Sequence, residues 1–340
     1  MLGTDDSMPV LDAPYLDRLT ELPSELVFIM GCHRSGTSML YHLLAYTGQL
    51  DYISAYDIIK YDELLHNRIT GREAQVKADL QSVLQRESSR GLDDLPVGTD
   101  LPEEYRFLMP RKVPRVVFNV KKELERLFFA PHLTPGTLNV FTRACQKKRF
   151  LSGEDRPLVL KNPSDYYFNF WAVHQMLPQA KFIFIHRHPL PMFNSYLHGF
   201  PAILKQKSNY AALLDKGYDA LFEGLPFRRR AFLAVFRSNM MSRMLLARLV
   251  ESFRYYMNHV SKLPTRQYAD VNYEDLCADP AGAITRIGEH LRLNLVPRAP
   301  ANFVAPRHLP VPERVKYHYA KRAAAMAPYL EHCQYATWPD

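Results

Sequence analysis

The chain has 340 residues, ample for a real core in one large domain or two modest ones, and its 47% hydrophobic and 23% charged residues are ordinary globular composition. Its net charge of +8 suits phosphate- or sulfate-bearing ligands, an anionic surface, nucleic acid or a plainly solvated exterior. Four scattered cysteines, Cys32, Cys145, Cys277 and Cys333, form no CxxC pair, which excludes a disulfide framework and a zinc site and suits a reducing compartment.

The N-terminal stretch "MLGTDDSMPVLDAPYLDRL" carries acids and prolines but no apolar h-region, and no stretch reaches the ~18 apolar residues of a membrane span, so a cytoplasmic protein is expected. "ELVFIMG" (25–31) reads as a buried strand. After a small polar loop, Met39, Leu40, Leu43 and Leu44 fall on one helical face. Residues 88–115, dense in proline and glycine, read as a long loop.

"PLVLKNP" (157–163) reads as a second strand stopped by Pro163, and "YYFNFWAVHQMLP" (166–178) as a helix ended by Pro178. "KFIFIHRHP" (181–189) is a third strand, and "PMFNSYLHGF" opens a helix with Pro191 in its first turn. Residues 200–262 read as helices rich in Arg, Met and aromatics. "QYADVNYEDL" (267–276) reads as a fourth strand, followed by a helix with Asp279 as N-cap and Pro280 at its first position.

Strands alternating with helices predict an α/β fold: a central parallel sheet covered on both faces, a three-layer sandwich. Ligands on such sheets bind at the carboxyl ends of the strands, so the loops after Met30, Leu160, Ile185 and Val271 are expected to converge. A single domain over 1–340 is expected. Its core covers about 24–60 and 155–295, helical insertions at about 88–130 and 200–262 cover the site, and 296–340 form a C-terminal extension.

The loop "GCHRSGTS" nearly spells a nucleotide-binding P-loop, but that motif needs Lys after its second glycine and Thr37 follows Gly36 here. Gly31 and Gly36 free the backbone to point N–H groups at an anion over a helix N-terminus. Thr37 and Ser38 add hydroxyls, and Arg34 adds a permanently charged planar fork. Against this stands a tight turn that merely needs glycines.

Arg187 ends a strand and Ser195 lies eight residues on, so both can reach one phosphate near that helix start; taken alone they fit equally a salt bridge and a surface serine. Lys161 sits where the second strand opens onto the ligand face, where a solvated lysine is the plainer reading.

Together, the "RSGTS" loop, the "LKNP" strand end, "LPQAKFIFIHRHP" with its Ser eight residues after the Arg, and the late "VNYEDLCADP" resemble the PAPS-dependent sulfotransferases. The likeness covers about residues 26–292 and is strongest to the bacterial and protein-tyrosine branch, which has Arg where the cytosolic branch has Lys. The resemblance implies a P-loop-like fold and the sulfo donor PAPS, with no metal. It implies that Arg34, Ser35, Gly36, Thr37 and Ser38 hold the 5′-phosphosulfate and that Arg187 and Ser195 hold the 3′-phosphate. Lys161 would touch the transferring sulfo group, and Tyr273 would line the nucleotide pocket or pack as strand.

Two departures stand out. His188 replaces the usual Asp, and the "RKGxxGDWKN" loop of the cytosolic branch is absent, leaving Arg314 and Lys316 as candidates for further 3′-phosphate contacts.

The implied reaction is in-line transfer to an acceptor hydroxyl, or less readily an amine, with Arg34 and Lys161 stabilising the charge on the leaving oxygen. An alcohol needs a base. In the tyrosine branch a Glu follows the loop Arg; here Asp57 is the counterpart by position, two residues late and one carbon shorter, with Asp62, Glu63 and His66 as fallbacks. A surface or capping acid is an equal reading for Asp57.

Two rivals remain open at this stage. A P-loop kinase or NTPase explains the loop but leaves Arg187 and Ser195 without a role. A non-catalytic nucleotide-binding or interaction module would use the basic runs "KKR" (147–149) and "RRR" (228–230), although no aromatic–basic motif accompanies them and nucleic acid is not expected. A small molecule, a saccharide, a lipid or a peptide could each be the acceptor.

Overall fold

The computed structural model describes residues 10–84, 95–109, 129–224, 226–298 and 309–338. Five parallel strands build one sheet: β1 (Leu26–Met30), β2 (Asp51–Tyr52), β3 (Leu158–Lys161), β4 (Lys181–His186) and β5 (Tyr268–Asn272), in the order β2-β3-β1-β4-β5. The described helices in its first half are α1 (Thr37–Tyr46), α2 (Ala55–Ile59), α3 (Leu64–Ile69), α4 (Glu73–Leu84), α5 (Leu138–Ser152) and α6 (Phe170–Met176). Those following are α7 (Pro189–Lys205), α8 (Asn209–Leu214), α9 (Lys216–Glu223), α10 (Pro226–Phe236), α11 (Asn239–His259), α12 (Tyr273–Ala278), α13 (Pro280–Leu291) and α14 (Glu313–His332).

The central strands are apolar along their middles because both faces are covered, with Lys161, Lys181 and His186 only at strand ends. Successive side chains of a strand point to opposite faces, and the core divides accordingly. Val27, Ile29, Val159, Ile183 and Ile185 pack with Met39, Leu40, Leu43 and Leu44 of α1 and with Ile284, Ile287 and Leu291 of α13. Phe28, Met30, Leu158, Leu160, Phe182 and Phe184 pack with Phe170 of α6 and Tyr256 of α11. This is the expected α/β sandwich.

β1 lies at the middle of the sheet, with β3 on one side and β4 on the other. The chain therefore changes direction across the sheet at the β1/β4 pair, and the crevice at their carboxyl ends is where such sheets bind ligands.

Four local readings change. The helix expected over 166–178 begins at Phe170, because Pro163–Asp165 first form a 3₁₀ turn capped by Asn162. The fourth strand stops at Asn272, and "YEDL" is helical; Glu274 and Asp275 in its first turn complement the helix dipole. β2 has only two residues, too few for any periodicity to mark it. Within the stretch read as a long loop, Pro102 bridges to Ser54 and Tyr105–Leu108 form a 3₁₀ turn. The remaining parts of 88–115, and most of the insertion placed at 88–130, lie outside the described residues. The stretch 200–262 is helical as expected, from the end of α7 through α11.

Candidate functional site

The turn between β1 and α1 is built by sterics. Arg34 takes a left-handed conformation (φ 70°), and Gly36 another (φ 99°) that favours glycine. A Cβ on Gly31 would lie 2.6 Å from Ser35 Oγ and 2.8 Å from Ile185 Cγ2. A Cβ on Gly36 would lie 2.4 Å from Tyr273 Cδ2. Both glycines are thus required by close packing, and the turn brings the loop backbone over the N-terminus of α1, where helix dipole and unpaired N–H groups favour an anion.

The expected cations reach this loop from separate strands. Arg34 Nε donates to Ser195 Oγ in α7 (3.0 Å). Arg187, one residue past β4, donates through Nη1 to the Arg34 carbonyl (2.9 Å), and its guanidinium lies 4.2 Å from the centre of the Tyr273 ring. Tyr273 is therefore wedged between Gly36 and Arg187, and burial pushes its phenol up to about 12. From the other side, Lys161 Nζ at the end of β3 donates to Ser38 Oγ (2.8 Å). Arg34, Ser35, Gly36, Thr37, Ser38, Lys161, Arg187, Ser195 and Tyr273 so fall in one contiguous region, spread over residues 34–273 of the chain.

Two atoms here lack partners among the described residues. Ser35 Oγ and Arg187 Nε are buried with no hydrogen bond. A buried polar group without a partner costs about 1–3 kcal/mol. Two of them beside a cradle of small residues mark a place built for an anionic ligand.

His188, the departure from the family's Asp, caps α7. Its Nδ1 accepts from the Leu190 N–H (3.2 Å), and its Nε2 bonds the Ala336 carbonyl (2.9 Å). Burial lowers its pKa, so the neutral ring serves as both acceptor and donor where a carboxylate would only accept.

Asp57 is engaged elsewhere. It forms a capping box at the start of α2, accepting from the Ser54 N–H (2.9 Å) while its own N–H donates to Ser54 Oγ (3.2 Å). Lys148 of α5 pairs with the same Oδ2 at 2.9 Å. The fallbacks lie further along: between α2 and α3, Glu63 pairs with Lys60 and the Asp62 carbonyl accepts from the Asp12 N–H, and within α3 His66 sits against the Tyr15 ring. Arg314 donates to the Arg237 carbonyl and Lys316 pairs with Glu313, both at the start of α14. It is the far end of α14 that reaches the sheet, through Tyr329 to His186 and the Cys333 carbonyl to Asn272.

The acid that does sit in the site is Glu104. Its Oε1 accepts from Lys161 Nζ at 2.8 Å, and Arg106 lies 2.8 Å from Oε2. Burial raises its pKa, but Lys161, Arg106 and His33 outweigh that and hold the carboxyl well below the usual range. Sequence reading missed it because it lies in an irregular segment with no repeat or motif, and only the fold brings it to β3.

The sequence profile of the sulfotransferase family matches residues 26–297. The omega-hydroxy-beta-dihydromenaquinone-9 sulfotransferases Stf3 of Mycobacterium bovis and Mycobacterium tuberculosis are 24% identical over 279 residues, covering 78% of this chain and 62% of theirs. The chain thus spans less than two thirds of the length of these relatives. Sulfotransferase STF9 from Mycobacterium avium superposes with a TM-score of 0.56 over 95% of this chain and 80% of that one, at 15% identity, a likeness of fold.

Proposed function

The chain belongs to the sulfotransferase family, and from that premise we propose that it moves the sulfo group of PAPS to a hydroxyl by in-line displacement. One observation carries this reading: Arg34, Arg187 and Lys161 converge on a glycine-built loop, where the buried Ser35 Oγ of the loop and the buried Arg187 Nε lack partners among the described residues.

PAPS supplies a sulfo group on a phosphosulfate anhydride, whose S–O bond breaks as the acceptor oxygen adds. The residues fit it. The loop from Arg34 to Ser38 binds the 5′-phosphosulfate, with the α1 N-terminus facing the charge that builds on the leaving oxygen. Lys161 neutralises the sulfo group from the β3 side. Arg187 and Ser195 bind the 3′-phosphate, and Tyr273 holds Arg187 in place from below.

The acceptor we propose is an alcohol on a largely apolar molecule. The loop's other neighbours support this, since Tyr167, Tyr196 and Phe200 surround the His33 ring and Phe129 packs on Tyr167. The Stf3 relatives are sulfotransferases of omega-hydroxy-beta-dihydromenaquinone-9. The four cysteines are free thiols, the state a reducing compartment maintains, and the proposed setting is the cytoplasm.

Calorimetric titration with PAP and with Mg·ATP tests the donor, and mass spectrometry of a lipid extract incubated with PAPS tests the acceptor. Preference for PAP and a lipid product heavier by one sulfo group are expected. Preference for Mg·ATP would restore the kinase reading.

A further inference from the structure

Asp57 serves as a helix cap, and among the described residues Glu104 is the carboxylate that bonds Lys161 beside the loop. Resting on the PAPS reading above, we propose that Glu104 is the base for the acceptor hydroxyl and that Lys161 holds it in reserve until the donor binds.

The segment carrying Glu104 is fixed on both flanks. Pro102 bridges to Ser54, the Glu103 N–H donates to the Ile53 carbonyl (2.8 Å), and Glu103 Oε1 accepts from Tyr210 (2.5 Å). On the other flank Tyr105 donates to the buried Asp165 carboxylate (2.5 Å), which also accepts from the backbone N–H groups of His132 and Leu133 and from Asn162 and Asn169. Glu104 is thereby held against β3 with a side chain only 13% exposed, two residues after the bridge of Pro102 to Ser54.

Lys161 is shared. The one ammonium, 3% exposed, donates at 2.8 Å both to Ser38 Oγ in the loop and to Glu104 Oε1. A sulfo group seated on the loop at Ser38 offers that ammonium a second anion. As Lys161 turns to it, the carboxylate loses the Lys161 hydrogen bond and keeps Arg106 as a neighbouring cation. Less stabilised as an anion, it binds a proton more readily.

The step balances. The acceptor oxygen forms a bond to sulfur. The bond from sulfur to the 5′-phosphate oxygen breaks, its electron pair staying on that oxygen opposite Arg34 and the α1 N-terminus. The hydroxyl proton passes to the Glu104 carboxylate. Without donor, Glu104 remains an ion pair with Lys161, so productive acceptor binding follows donor binding.

The test compares wild type with Glu104→Gln and Glu104→Asp. PAPS binding is measured by calorimetry, and the rate of PAP release is followed across pH. PAP release from PAPS is followed with water and with 1-dodecanol as acceptor. Glu104→Gln is expected to bind PAPS at least as tightly as wild type, because Lys161 then has no carboxylate to leave. The Gln variant is expected to release PAP about 100-fold or more slowly, the scale of a lost general base. Glu104→Asp, which keeps the charge, should lose at least about tenfold in rate, because the carboxylate falls short of the hydroxyl.

A Gln or an Asp variant with the wild-type rate overturns the assignment, and a Gln variant that binds PAPS more weakly than wild type overturns the release of Lys161. Loss of PAPS binding in the wild type itself overturns the donor reading and this one with it.

Discussion

Asp57 and Glu104 show how the same chemistry separates at the level of single residues. Both are carboxylates paired with a lysine at 2.8–2.9 Å. Asp57 also closes a capping box, so its role is to start α2 and tie it to α5. Asp57→Asn keeps part of the cap but gives up the Lys148 pair. The loss of stability is expected at about 1–2 kcal/mol, the scale of a weakened cap and a partly buried pair, with PAP affinity unchanged. Denaturant unfolding and PAP calorimetry check this; a Tm like wild type combined with lost turnover would return Asp57 to the chemistry. Arg34, Arg187, Ser195 and Lys161 were legible because each stands at a fixed offset from a strand end or glycine turn. Glu104 was not, since its meaning comes from Lys161, 57 positions away and reached only through the fold.

Among the elements, the apolar strands were legible for a physical reason: β1, β3 and β4 are covered on both faces, so their sequences carry no polar alternation to confuse with helix. β2 and the exact start of α12 depend on pairing and packing that no local pattern encodes. The basic run at 147–149 illustrates the same limit. Lys147 pairs with buried Asp12, Lys148 with Asp57 and Arg149 with Glu21, so the run is internal cross-linking of α5.

Beneath the site, β4, β5, α11 and α14 meet in a polar cluster. His186 bonds Asp270 (2.9 Å) and Tyr329 (3.1 Å), and Tyr256 donates to Asp270 (2.6 Å). Burial disfavours a charged His186, yet Asp270 and Cys333 outweigh it and push its pKa up to about 9 from 6.5. A histidine with a raised folded-state pKa stabilises fully below pH 6.5 and loses that contribution as pH rises through about 9. With the Asp270 side chain 35% exposed and partly screened, the contribution is about 2 kcal/mol. Urea unfolding should therefore show stability falling by that amount across this window, and Asp270→Asn should flatten the profile. An unchanged profile in the variant would place the pH dependence elsewhere.

At the scale of the whole molecule, the net charge of +8 and the three cations at the loop bear on donor capture together. Binding to the folded state alone stabilises by about 2.7 kcal/mol at a hundredfold excess over Kd. With an unfolding entropy of about 2 cal/mol/K per residue, that is a rise in Tm of about 4 °C for this chain. Salt separates the two contributions of charge. Long-range attraction from the basic surface is screened as the Debye length falls from about 10 Å at 0.1 M to about 3 Å at 1 M. Buried contacts, such as those available from Arg187 Nε, are screened much less. PAP affinity is therefore expected to weaken about tenfold between those salt concentrations, equivalent to about 1.4 kcal/mol, and then to level off because the buried cations still act. Calorimetry and thermal unfolding across the salt series measure both effects. An affinity that vanishes by 1 M would mean that the surface alone holds the donor, and one that does not move at all would mean that the net positive charge plays no part in its capture.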